Sequence, residues 1–104
     1  IKYSQVTSIP NISNEIPNKF KLYQNYPNPF NPSTKIRFDI PDAGKVSMKV
    51  FDVTGKLVTD LVDQQLNPGS YEIDWDASLN STGVYYYTLQ TNEIIETKRM
   101  VLVK

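Results

Sequence analysis

From Thr34 onward, apolar and polar residues alternate one for one. Ile36, Phe38 and Ile40 alternate with Lys35, Arg37 and Asp39; Val46, Met48 and Val50 alternate with Lys45, Ser47 and Lys49. Tyr71, Ile73 and Trp75 alternate with Ser70, Glu72, Asp74 and Asp76. A period of two sends successive side chains to opposite faces of a strand, so each run lines a core on one side and meets water on the other. Gly44, Gly55, Gly69 and Gly83 punctuate these runs at intervals of 11, 14 and 14 residues, beside turn-forming neighbours such as Asp42, Thr54, Pro68 and Thr82. Glycine admits the positive φ that tight hairpin turns require. The pattern predicts strands at about 34–40, 45–53, 57–63, 70–76, 83–91 and 95–103. Residues 56–65 come nearest to a helical spacing, but their β-branched content and flanking turns favour a strand. Short strands between regular turns predict an all-β sandwich or barrel.

Two segments depart from strict alternation. Val84, Tyr86 and Thr88 oppose Tyr85, Tyr87 and Leu89, and Arg99, Val101 and Val103 oppose Lys98, Met100, Leu102 and Lys104. A strand apolar on both faces is central in its sheet or offers one face to a partner. At the other end, residues 1–21 mix Ser, Thr and Asn with Pro10 and Pro17, and their apolar residues follow no period. That composition reads as a linker to a parent protein lying N-terminal to it, with the folded domain at 22–104. The chain begins at Ile1, with no basic stretch or apolar run of signal-peptide type, and is expected to be the C-terminal piece of something longer.

Composition narrows the chemistry. The 104 residues make one domain's worth of chain and contain neither His nor Cys. A Ser-His-Asp or Cys-His relay, a disulfide, and the usual ligands of zinc, copper, haem and iron–sulfur centres are therefore excluded. Eleven basic and eleven acidic side chains cancel, which removes the electrostatic footprint of a nucleic-acid binder. No stretch approaches the apolar length of a membrane helix, so no direct membrane insertion is expected. Asp74 and Asp76 flank Trp75 near Asp60 and Asp63. Paired carboxylates can serve hydrolysis or calcium binding, but in an alternating strand without calcium-loop spacing they read as solvated charge. Trp75 with Tyr85, Tyr86 and Tyr87 forms either core or an aromatic sugar platform. The expectation is no enzyme and no cofactor.

The densest local signal is Tyr26-Pro27-Asn28-Pro29-Phe30-Asn31-Pro32, followed by Ser33 and Thr34. Three prolines restrict φ and remove backbone donors, which predicts a rigid loop blunting a sheet edge, with Tyr26 and Phe30 as apolar plugs at one end of the sandwich. This stretch resembles the opening of the type IX secretion C-terminal sorting domain, type A. The resemblance continues through residues 51–58, through Pro68, Gly69 and Tyr71 to Trp75 and Ala77, and through Gly83, Val84 and Tyr85 to the ending Lys98-Arg99-Met100-Val101-Leu102-Val103-Lys104. It spans 22–104. Its last hairpin departs from the family pattern: Thr91-Asn92-Glu93 stands where glycine is common, and Asn92 is expected to accept the left-handed conformation.

The resemblance implies an Ig-like antiparallel β-sandwich of about seven strands and a role as a sorting signal. Its implied partners are the outer-membrane type IX translocon, its shuttle proteins and a surface sortase-like peptidase that removes the domain. The implied location is the periplasm in transit, then the cell surface or the exterior. Residues 98–104 with Gly83, Val84 and Tyr85 are the expected recognition element, able to add to a partner's sheet or to fit an apolar groove. Cleavage is expected in the linker, between about Ser8 and Phe20, where chain is accessible. Two other readings stay open: a carbohydrate-binding or adhesive module using exposed aromatics, and a structural module docking through its last strand.

Overall fold

A computed structural model describes residues 11–13 and 15–104. The alternating runs form the strands they predict: β3 (Ser33–Ile40), β4 (Gly44–Asp52), β5 (Leu57–Leu66), β6 (Gly69–Asp76), β7 (Gly83–Gln90) and β8 (Ile95–Leu102). Two short strands precede them, β1 (Asn11–Ser13) and β2 (Lys21–Leu22), making eight among the described residues. All pairings between these eight strands are antiparallel, in two four-stranded sheets ordered β1-β6-β3-β2 and β5-β4-β7-β8. The Ig-like all-β sandwich expected from the resemblance is thus the architecture observed.

The inward sets are those set by the period of two. Ile36, Phe38 and Ile40 of β3 with Tyr71 and Trp75 of β6 face Val46, Met48 and Val50 of β4 and Tyr85, Tyr87 and Leu89 of β7. Met100 and Leu102 complete the layer from β8. Burying such side chains contributes about 1.5–3 kcal/mol each against exposure. On the outer faces, Lys35–Asp74 (2.8 Å), Lys45–Asp63 (3.1 Å) and Lys49–Asp60 (2.7 Å) pair across neighbouring strands. Exposed pairs of this kind are screened by solvent and contribute little to stability, and serve mainly to keep strand register polar side out.

Three differences from the expectation have local causes. Strand β5 runs past residue 63 to Leu66, because Gln64 pairs with Val46 and sits buried on the inner face. Part of the segment read as a linker is held: β1 pairs with β6 through Asn11–Tyr71 and Ser13–Ser70, and β2 pairs with β3. The linker reading for residues 1–10 lies outside the described residues. Finally, Gly55, Gly69 and Gly83 have the positive φ expected of turn glycines, and Gly44 does not. Gly55 has φ of 87° in the β4–β5 turn, where Asp52 Oδ1 accepts Thr54 N–H (2.9 Å), the Thr54 hydroxyl (2.6 Å) and Lys56 N–H (3.1 Å). Those donors, the Thr54 hydroxyl foremost, hold the Asp52 carboxyl below its usual range.

Candidate functional site

Strand β8 is an edge strand, and an edge presents a row of unpaired backbone groups. In an antiparallel strand those groups belong to alternate residues; here they are the odd-numbered ones. The proline-rich loop covers the C-terminal half of the row. Gln24 Nε2 donates to Arg99 O (2.7 Å), and Val101 N–H donates to Asn28 Oδ1 (3.0 Å). Phe30 N–H donates to Val101 O (2.9 Å), and Val103 N–H donates to Phe30 O (3.0 Å). Phe30 and Leu102 thereby form a parallel bridge. The Tyr26–Pro27, Asn28–Pro29 and Asn31–Pro32 peptide bonds are cis. Edge blunting by this loop is what its prolines predict.

The loop is anchored from beneath. Tyr87 is fully buried, and its hydroxyl accepts Asn25 N–H (2.8 Å) while donating to Tyr23 O (2.8 Å). Burial pushes that phenol up to about 12. The Asn25 amide nitrogen donates to Thr34 Oγ1 (2.9 Å) and Pro27 O (3.1 Å), and the Thr34 hydroxyl donates to Pro27 O (2.9 Å). Asn25 and Thr34 are both buried, so this network satisfies groups that would otherwise be stranded. Sequence reading missed Gln24, Asn25 and Tyr87 as loop anchors, because their partners lie 62 to 75 residues away.

The two aromatic plugs part company. Phe30 is 2% exposed and packs on Trp75 at 5.8 Å between ring centroids. Tyr26 is instead 79% exposed. It pairs with Lys35 through two backbone bonds of 2.9 Å, and opposed residues share a face. Lys35 looks outward from β3, and Tyr26 looks outward with it. Pro32 O accepts Ala77 N–H (2.8 Å), tying the loop to the end of β6. Pro27, Pro29 and Asn31 lie on the exposed side.

The remaining sequence-nominated residues divide by face. Met100, Leu102 and Tyr85 are core, and the Tyr85 hydroxyl donates to Ser81 O (2.7 Å). Tyr71 repeats that local bond, donating to Asn67 O (2.7 Å) just before Pro68 and Gly69, and stacks on Phe38. Val84, Arg99, Val101 and Val103 face outward, Lys98 is half-buried, and Gly83 opposes Leu102. Lys104 is pinned: its ammonium donates to Ser78 O (2.6 Å) and Asn80 O (2.8 Å), and its N–H to Thr82 Oγ1 (3.0 Å).

Trp75 is 6% exposed and edge-on to Tyr85 at 5.6 Å, so these two rings form core instead of an open platform. Asp74, Asp60 and Asp63 are engaged by lysines, and Asp76 Oδ1 accepts Ser78 N–H. Among the described residues no group of three or more acidic side chains is placed to hold a metal. The 91–94 hairpin does not use the left-handed conformation expected of Asn92; among the described residues only glycines have positive φ. The Thr91 hydroxyl caps the turn instead, accepting Glu93 N–H (3.1 Å) and Ile94 N–H (3.2 Å).

Comparison with known proteins agrees with this architecture. One solved structure with the same fold is that of PorZ, an essential bacterial surface component of the type IX secretion system of Porphyromonas gingivalis. It is 24% identical, with a TM-score of 0.52 over 82% of this chain. The chain spans about a tenth of that protein, matching 11% of its length. No curated protein sequence matches. Residues 24–104, which carry the proline loop and strands β3 to β8 with the plugged terminal strand, match the family described as the secretion system C-terminal sorting domain, and the chain belongs to that family.

Proposed function

We propose that this domain is carried by a parent protein as its type IX export signal, has no catalytic activity of its own, and is cut off at the cell surface. The family match over residues 24–104 carries the sorting role, and with it a surface or extracellular destination for the protein. The finer steps are the proposal: periplasmic transit, recognition by shuttle and translocon, and removal by a sortase-like peptidase. The terminal strand suits recognition because its outward side chains Arg99, Val101 and Val103 are displayed on a strand clamped from both sides. Cleavage fits best at residues 15–19, where Glu15, Ile16, Asn18 and Lys19 are exposed and no strand is formed.

The test fuses the whole chain behind a signal-peptide-bearing reporter in a bacterium with the type IX system. Reporter outside the cell and lighter by most of the 11.9 kDa domain is expected. Reporter held in the periplasm refutes sorting, and exported reporter that keeps the domain refutes removal. Deleting residues 98–104 should abolish export; undiminished export refutes the terminal strand as the recognised element.

A further inference from the structure

The outer face of the β5-β4-β7-β8 sheet is unevenly built. Toward one end it carries the Lys45–Asp63 and Lys49–Asp60 ion pairs, and beside them Thr88 and Thr97 share a hydroxyl hydrogen bond of 2.8 Å. Toward the other end the register aligns Leu57, Phe51, Tyr86 and Arg99 in one row across all four strands. Val84 and Val101 oppose each other immediately beyond. Leu57 is 46% exposed and Tyr86 36%, and the others are partly or fully open to solvent.

Arg99 makes no ion pair among the described residues, whereas Lys35, Lys45 and Lys49 each meet an aspartate on the adjacent strand. A guanidinium standing unpaired at the end of an aromatic and aliphatic row is the arrangement expected of an interface anchor, since aromatic residues and arginine dominate binding hot spots. The covered edge limits the geometry. Gln24, Asn28 and Phe30 occupy Arg99 O, both backbone groups of Val101 and Val103 N–H, so no partner strand can add along that stretch. Approach must be onto the face.

We infer that this row, Leu57–Phe51–Tyr86–Arg99 with Val84 and Val101, docks a protein of the export machinery that presents a carboxylate to Arg99 within an apolar surround. The inference rests on the sorting role proposed above and specifies which face is read. A protein suits the row better than a glycan: three of its six side chains are branched aliphatics, and only the Tyr86 hydroxyl and Arg99 offer hydrogen bonds. The uncompensated positive charge selects an acidic partner.

The test uses the whole chain behind the same reporter. Arg99→Glu should lower exported reporter about tenfold or more, the scale of a broken interfacial charge pair. Arg99→Lys should retain most export, and Lys45→Gln, at the ion-paired end, should retain all of it. Thermal melting of the purified variants should be unchanged, because Arg99 is exposed. Wild-type export with equal export of Arg99→Glu overturns this inference alone; a wild-type fusion that stays inside the cell overturns the sorting role and the inference with it. A photoreactive side chain replacing Tyr86 gives the second readout in living cells. A protease-sensitive adduct whose partner peptide carries Asp or Glu supports the assignment. A protease-resistant, carbohydrate-bearing adduct overturns it in favour of a glycan.

Discussion

The Asn28 side-chain oxygen accepts the backbone N–H of Val101 at 3.0 Å, across 73 residues of chain. One side chain in the proline loop thus does for the terminal strand what a neighbouring strand would do. Asn28→Ala should cost about 1 kcal/mol, the ordinary net worth of a hydrogen bond. Its clearer signature is amide exchange: Val101 should lose protection while Leu89, in the sheet centre, keeps it.

Trp75 is wedged between Phe30 and Tyr85, at 5.8 and 5.6 Å. Trp75→Ala should destabilise the domain by about 3–5 kcal/mol through lost burial and the cavity left behind. A double-mutant cycle with Phe30→Leu should show a coupling of about 0.5–1.5 kcal/mol. Additive effects in urea denaturation would mean that the loop and β6 are not packed as described.

Gly55 has open space around the position of an added Cβ, yet its φ is 87°. Gly55→Ala should therefore destabilise through backbone conformation alone, by about 1–2 kcal/mol. Gly55→Asn should recover part of that loss, because asparagine tolerates the left-handed region. Equal stability of all three proteins by thermal melting would contradict the turn geometry.

Tyr87 makes stability sensitive to alkali. Its phenol is pushed up to about 12 from 10.0, so below pH 10 both folded and unfolded chains hold the proton and its contribution is complete. Between 10 and about 12 the unfolded chain loses the proton first, and stability falls. The whole contribution is on the order of 2 kcal/mol. Tyr23, raised by its hydrogen bond to Asp39, and Tyr71, raised by burial, act in the same direction. Tyr87→Phe should flatten the decline of the urea midpoint across this window without abolishing it. An unchanged slope would show that the hydroxyl is not the buried group described.

Much of the fold is legible in the chain because the period of two is a local property. Ile36, Phe38 and Ile40 face inward wherever β3 pairs, and Trp75 follows from the same rule. Tyr26 is misread for the complementary reason: its direction is set by the Lys35 register, which the loop's own composition does not contain. Gln64 has polar chemistry but a buried place at the edge of β5. The Leu57–Phe51–Tyr86–Arg99 row is invisible until strand order is known, since its members lie far apart in the chain and two register shifts in β4–β5 bring Leu57 opposite Phe51. The terminal residues 98–104 stand out by composition, but which of them face solvent depends on their register with β7, where Met100 opposes the buried Tyr85 and Arg99 the outward Tyr86.

The hold on β1 differs from that on β8. Two residue pairs join β1 to β6, whereas β8 is joined along its whole length to β7 and fastened again by the loop. A pulling force entering through the chain before Asn11 would therefore unzip β1 residue by residue at low load. The same force applied at Lys104 would have to shear bonds on both sides of a strand at once. The domain yields first at β1 and resists at β8, so a load arriving from the N-terminal side is taken up by β1 before it reaches the other described strands.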